Sequence, residues 1–305
     1  MSFDRVRGQT RAVSSLRAAL SSGRLAHAYL LSGPAGVGKR ALAHELVKAA
    51  LCEQKADDAC DRCSSCRAVE SGNSWEASGL SVEVSKGQLR PLEDSDREIK
   101  VGSIRAMERE LGVKVAAGRT RAVIIPLAER MNEEAQNALL KTLEEPSGSR
   151  LLVLTSRRPE ALLPTVISRL ARVRLRRLSA DEVSAYLREE RGVRAEEAAE
   201  LAAAADGSIG VALDADLEEV RAGREFAAAR LGTDCGGRPL DLGEEFMAFA
   251  RERAAGGKGL EPVRRGLLAL FGAAVALHRH ALWRALGADD PAAAAVPAAV
   301  DLAAL

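Results

Sequence analysis

Seven residues, Gly33-Pro-Ala-Gly-Val-Gly-Lys39, have the composition and spacing of a phosphate-binding loop. Glycines at Gly33, Gly36 and Gly38 let the backbone turn so that N–H groups face phosphate oxygens, and a helix opening at Lys39 would add its positive end. The Lys39 ammonium would reach the terminal phosphates of a nucleotide. The residue after the lysine should be Ser or Thr, whose hydroxyl ligates Mg2+. Here it is Arg40, and a guanidinium cannot ligate a cation. A second metal anchor should be acidic and should close a buried strand, but Val123-Ile124-Ile125 is followed by Pro126 and Leu127. Two separate parts of the hydrolytic machinery are missing. The loop therefore reads as an inherited scaffold turn that binds nucleotide weakly or not at all.

The second chemical pattern is Cys52-x7-Cys60-x2-Cys63-x2-Cys66. Four thiolates suffice for a tetrahedral zinc, and close Cys-x2-Cys spacing in a reducing compartment favours chelation over disulfides. Soft sulfur favours zinc over magnesium or calcium. Nothing redox-active accompanies the cluster to suggest iron–sulfur chemistry. The residues between, including Asp57, Asp58, Asp61 and Arg62, cannot build a core, so zinc would supply the folding energy of a structural site. Cys235 stands alone and reads as a free thiol.

Other polar residues carry less. His27 reads as structural, and His278 and His280 have no partner visible in sequence. Glu144 and Glu145 are adjacent, and adjacent helix positions do not face each other, so they read as helix-end packing or an interface. Glu129 lies two residues past the missing carboxylate at Leu127, displaced from any metal position. Arg119 and Arg121 could meet nucleic-acid phosphates but read more simply as a solvated face.

These residues need elements to position them. Thr10 to Leu20 has an apolar face through Val13, Leu16, Ala19 and Leu20, predicting a helix. Ala28 to Ser32, Arg121 to Ile125 and Leu151 to Thr155 are short apolar runs of buried-strand type, and Arg40 to Leu51 is helical. Asn132 can cap a helix with Glu133 and Glu134 in its first turn, ended by Pro146 and Gly148. Strands separated by helices imply an α/β fold with a parallel sheet covered on both faces. After Arg177 the pattern is all helical. Ser179 with Glu182 forms a capping box for a helix to about Glu190, and a shorter helix spans Ala195 to Ala205. Longer helices follow from Asp214, broken at Gly236-Gly237 and Gly256-Gly257. Leu260 to Ala281 carries one apolar face, and an Ala-rich stretch runs from Pro291 to Leu305.

With 305 residues and 47% hydrophobic content, the chain can build two or three cored domains. Lys and Arg number 44 against 43 Asp and Glu, a net charge of +1 that argues against a broadly basic nucleic-acid coat. Aromatic residues are only 3%, which makes base-stacking platforms hard to build. No apolar run approaches the ~20 residues needed to span a bilayer, and Met1-Ser-Phe-Asp-Arg5 lacks a secretory apolar segment. A cytoplasmic protein with no membrane partner is expected.

Five segments then converge: Arg24 to Tyr29, Gly33 to Lys39, Ala128 to Asn132, Asn137-Ala-Leu-Leu-Lys-Thr-Leu-Glu-Glu-Pro146, and Leu162 to Arg169. In order and spacing they resemble the bacterial clamp-loader subunits of DNA polymerase III, an AAA+ family, and within it the delta-prime type. The resemblance covers about the first 215 residues, beyond which only helical character agrees. ATPase members (gamma/tau) carry Ser or Thr after the loop lysine, Asp-Glu after the second strand, and a sensor arginine in a Gly-Ser-x-Arg segment. This chain has Arg40, Pro126-Leu127 and Gly207-Ser-Ile-Gly210 there. The family's Ser-Arg-Cys motif appears as Ser168-Arg169-Leu170, and Thr155 falls at a sensor position.

The resemblance implies a P-loop AAA+ domain, a doubly wound parallel sheet, over residues 1–175, with a zinc module at 52–66. It implies a small all-α lid at 176–213 and an all-α collar at 214–305. It further implies a subunit that does not hydrolyse ATP but offers Arg169, beside Ser168, in trans to a neighbouring gamma/tau ATPase. Its partners would be gamma/tau and delta subunits, the sliding clamp indirectly, and primer-template DNA through the complex. An active gamma/tau-type ATPase and a zinc-dependent DNA-binding regulator on an inactive loop are the alternatives. ATP turnover by the isolated chain would favour the first, and salt-sensitive DNA binding the second.

Overall fold

The computed structural model describes residues 2–54, 56–72, 74, 77–79, 81–85, 88–91, 97–112, 120–145, 149–231, 239–253, 267, 270–272 and 274–275. Outside them lie the expectations for Arg119, Pro146, Gly148, Cys235, both glycine pairs, His278, His280, the 291–305 stretch and most of the 260–281 helix. The chain divides into two compact units, Met1–Arg176 and Arg177–Leu305.

The first unit contains α1 (Thr10–Ser21), β1 (Ala28–Ser32), α2 (Lys39–Leu51), α3 (Ser64–Glu70), β2 (Ala77–Gly79), β3 (Ser81–Ser85) and β4 (Gln88–Pro91). It continues through α4 (Val101–Gly112), β5 (Arg121–Ile125), α5 (Glu133–Glu144), β6 (Arg150–Ser156), α6 (Pro164–Ile167) and β7 (Ala171–Arg174). Five strands form one sheet in the order β2-β5-β6-β1-β7, and every neighbouring pair is parallel. The register sets Ala28 against Leu152 and Ala122 against Leu151. The hairpin β3–β4 is a separate antiparallel pair.

The central strands are continuous apolar runs because both faces are covered. Ala28, Leu30, Val123, Ile125, Leu152 and Leu154 point into one core with Ile104, Met107 and Leu111 of α4 and Leu139 and Leu143 of α5. With alternate residues facing oppositely, Tyr29, Leu31 and Val153 serve the other face, where α2 packs on β1, β5 and β6. Asn132 caps α5 as expected, its Oδ1 accepting from the Ala135 N–H at 2.9 Å. His27 bridges to the Leu143 carbonyl at 3.2 Å, a structural role.

The second unit holds α7 (Ala180–Arg191), α8 (Ala195–Ala204), α9 (Ile209–Asp214), α10 (Leu217–Leu231) and α11 (Pro239–Arg253). The capping box is present in both directions: Ser179 Oγ accepts from the Glu182 N–H, and Glu182 Oε2 from the Ser179 N–H. Gly207 has φ +73°, and a Cβ there would stand 2.4 Å from the Leu178 carbonyl oxygen, so only glycine fits. Its neighbour Ser208 caps α9 through the Val211 N–H at 3.1 Å. Ala227, Phe246 and Leu270 form a core with Phe226 and Phe249 against it. Among the described residues, no helix is long and apolar enough to cross a membrane.

Candidate functional site

The phosphate loop leaves the carboxyl end of β1 and enters α2, at the strand-end crevice where open parallel sheets bind ligands. Gly36 (φ +66°) and Gly38 (φ +95°) take left-handed conformations that the turn requires. At Gly33 a Cβ would stand 2.5 Å from the Leu175 carbonyl oxygen, so β7's continuation seals one side of the loop. Lys39 does not point outward. It is buried, and its ammonium donates to the Gly33 carbonyl at 2.7 Å and to the Pro34 carbonyl. Burial, and then the nearby Arg157 guanidinium, lower its pKa to about 8, with Glu129 opposing. The cation that should meet a terminal phosphate is engaged by its own loop. Arg40 is exposed at the place of the metal-ligating hydroxyl.

Next to the loop strand, β6 ends at Thr155 and Ser156, and the turn after β5 holds Pro126 and Leu127. Leu127 is buried in a left-handed conformation (φ +51°), which costs an L-residue about 1–2 kcal/mol. Its N–H reaches Thr155 Oγ1 at 3.4 Å, so this threonine braces the turn. Glu129 follows. One carboxylate oxygen accepts from the Arg157 N–H at 3.3 Å, and the other is buried with no hydrogen-bond partner among the described residues. In sequence Glu129 is displaced from any metal position, and Arg157 belongs to no motif. Their proximity to Lys39 depends on β1, β5 and β6 being neighbours, which no local pattern reveals.

Arg169 follows α6, and Leu170 behind it is buried in the core. The Arg169 side chain is about one-third exposed (36%) and is held twice. Nη1 donates to the Thr165 carbonyl at 2.8 Å, and Nη2 pairs with Glu144 Oε1 at 2.7 Å. Ser168 is exposed and closes the same turn, its Oγ donating to the Thr165 carbonyl at 3.0 Å.

The four cysteines converge. One Sγ from each of Cys52, Cys60, Cys63 and Cys66 lies within 4.8 Å of all the others. Zn–S bonds of about 2.3 Å place tetrahedral sulfurs about 3.8 Å apart. The Cys60–Cys66 separation is 4.0 Å, so the set fits that ion. Cys52 comes from the end of α2, Cys63 caps α3, and Cys66 lies in its first turn. The Cys63 N–H donates to Cys60 Sγ at 3.3 Å and the Cys66 N–H to Cys63 Sγ at 3.4 Å. Backbone donation, first from Arg62, pulls the Cys60 thiol down to about 6, while burial pushes the Cys52 and Cys66 thiols up.

Beside this cluster, Lys48 of α2 is fully buried. Its ammonium meets Glu45 at 2.9 Å, Asp61 at 2.9 Å and Glu70 at 2.7 Å. His44, Glu45 and Glu70 also lie close enough to suggest a metal cluster, but the lysine already supplies the cation there. One side chain thus ties the helix of the phosphate loop to the cysteine loop and to α3. Lys48→Met would leave Glu45 buried and short of its main partner. We expect a loss of about 3–5 kcal/mol, towards the lower end because Arg5 still reaches Glu70 at 2.6 Å. The denaturation midpoint of the intact chain measures it. The Lys48 and Arg5 hydrogen bonds hold the Glu70 carboxyl down to about 2. Its contribution is therefore complete above the ordinary carboxylate value near 4.5 and fades as pH falls towards 2.

Comparison with known proteins gives the family. The family described as "DNA polymerase III, delta subunit" matches residues 8–179. The chain is similar to DNA polymerase III subunit delta' of Pseudomonas aeruginosa, 39% identical over 145 residues, which cover 47% of this chain and 41% of the relative. It is 32% identical to the delta' subunit of Bacillus subtilis over 161 residues, covering 53% and 45% of the two chains. It is 30% identical to the tau subunit of Salmonella typhimurium over 310 residues, covering 94% of this chain and 45% of that one. The chain thus spans less than half the length of these curated relatives. Among solved structures, the Thermotoga maritima RuvB branch migration motor superposes with a TM-score of 0.49 at 18% identity, covering 95% of this chain and 98% of that one. With more than half of its residues matched, and delta' subunits among its relatives, the chain belongs to the delta-prime clamp-loader family of DNA polymerase III.

Proposed function

We propose that this chain is a clamp-loader subunit of the delta-prime kind, inert towards ATP by itself, which lends Arg169 to the nucleotide site of a neighbouring gamma/tau-type ATPase. One contrast carries the reading. The chain has Arg40, Pro126 and Leu127 where metal ligands are needed at its own loop, while Arg169 is held at the surface. In the neighbour's site the guanidinium would stabilise charge developing on the transferring phosphoryl group. Arginine suits that task because it stays charged and presents a planar fork. The work of the complex would be to place a sliding clamp on primed DNA, with the delta subunit as a further partner, in the cytoplasm. Residues 176–213 would serve as the lid and 214–305 as the collar.

The four cysteines would hold a structural zinc with no open coordination position. Such an ion supplies folding energy to a loop that lacks a core. A gamma/tau-type motor is the second reading, favoured by the tau alignment over 94% of the chain. It would need metal ligation where Arg40, Pro126 and Leu127 stand.

The test is ATP turnover by the isolated chain and by a mixture with gamma/tau and delta subunits, after co-purification. We expect stable association, turnover in the mixture and none from the chain alone. Failure to associate would overturn the proposal, and turnover by the isolated chain would favour the motor.

A further inference from the structure

We infer that Glu144 is a positioning residue for Arg169, fixing the guanidinium so that it reaches a neighbour's phosphoryl group already oriented. The inference rests on the trans-acting reading of Arg169 given above. Glu144 closes α5, and Arg169 follows the short α6. The two residues are far apart in sequence, yet Nη2 and Oε1 stand 2.7 Å apart. The second hold on the same fork is the Thr165 carbonyl, at 2.8 Å from Nη1. That carbonyl belongs to the last turn of α6, where backbone acceptors lack helical partners. The guanidinium therefore spans the ends of two helices whose bodies are packed in one core, through Leu139 and Leu143 of α5 and Val166 of α6.

An arginine side chain on a surface samples many rotamers, and holding one of them has an entropic cost. Here two anchors on rigid elements meet that cost before any partner arrives. Arginine has five N–H donors. The contacts to Thr165, Glu144 and, at 3.4 Å, Ser168 engage at most three, so donors remain for a phosphate oxygen while the anchors hold. The pair is half-exposed, with side-chain exposures of 36% and 50%. A pair so exposed adds little to folding stability. Its consequence lies in where the cation stands.

The test is a double-mutant cycle in the complex reconstituted with gamma/tau and delta, read as kcat and KM for ATP at the site that Arg169 faces. Glu144→Ala is expected to lower kcat about three- to tenfold through lost orientation, with KM within about twofold and assembly unchanged. Glu144→Gln keeps an acceptor oxygen for Nη2 and should recover most of the loss. In the Arg169→Ala background, Glu144→Ala should have no further effect, which a merely structural role would not produce. If Arg169→Ala is silent, the trans-acting reading itself fails. If Arg169→Ala is crippling while Glu144→Ala leaves kcat unchanged or raises it, this inference alone is overturned.

Discussion

Arg169→Ala in the reconstituted complex is expected to abolish hydrolysis at the one nucleotide site that this subunit faces, while the chain itself folds and assembles as before. A trans-acting arginine contributes about 10³–10⁵ in kcat, so the complex should lose that site's whole share of turnover. Folding is spared for a structural reason. What Arg169 touches is an exposed carboxylate and a helix-end carbonyl that water can serve instead. The residue that packs is Leu170, 7% exposed in the core, and it is not changed. Arg169→Lys should recover little, because an ammonium keeps the charge but loses the planar fork. The isolated chain should show no turnover with or without the substitution, since Arg40, Pro126 and Leu127 stand where metal ligation is needed. Equal activity of complexes built with the native chain and with the Arg169→Ala variant would remove the proposed role.

The parts of this fold legible in sequence are those whose signal is local. β1, β5 and β6 read as strands because they lie in the middle of a sheet covered on both faces, where nearly every position is apolar. The Asn132 cap and the Ser179–Glu182 box are short-range chemistry and appear where the residues place them. The span between Cys66 and Arg121 shows no strand or helix among the elements that the sequence predicts. β2 is Ala77-Ser78-Gly79, three residues without strand character that are extended because they pair with Ala122 to Ile124. α4 did carry a usable pattern, Ile104, Met107 and Leu111 at helical spacing, and all three are buried.

The candidate site divides the same way. The loop glycines and the four cysteines are sequence motifs, so their convergence could be anticipated. That Glu129 would sit near Lys39 and that Glu144 would hold Arg169 are tertiary facts. Lys48 is the clearest case. A lysine on a helix that also carries Glu45 reads as a solvated face, yet it is fully buried because the cysteine loop brings Asp61 over it.

That same buried lysine sets what removing zinc should do. The stretch from Cys52 to Cys66 has little apolar content, and its order depends on a few ties. Asp58 accepts from the Phe3 N–H at 3.2 Å and from Arg17 Nη2 at 2.7 Å, and Asp61 meets Lys48. A structural zinc contributes about 10–16 kcal/mol of apparent binding energy in small domains, comparable to the roughly 5–15 kcal/mol by which whole domains are stable. Without it, the four converging thiols keep only weak N–H···S and S···S contacts, and Asp61, placed between two of them at φ +57°, loses support. Lys48 would then be left without one of its three carboxylates, and the disturbance would reach α2, the helix of the phosphate loop. We therefore expect about one zinc per chain in protein purified without chelator. Chelation, or Cys60→Ser with Cys63→Ser, should lower the unfolding midpoint and raise amide exchange across residues 52–70 and in α2, leaving α7 and α8 unchanged. Zinc retention should weaken as pH falls, because the thiols must lose protons to bind. Protein that carries no zinc, or that unfolds at the same midpoint after chelation, would show that the cysteines converge for some other reason.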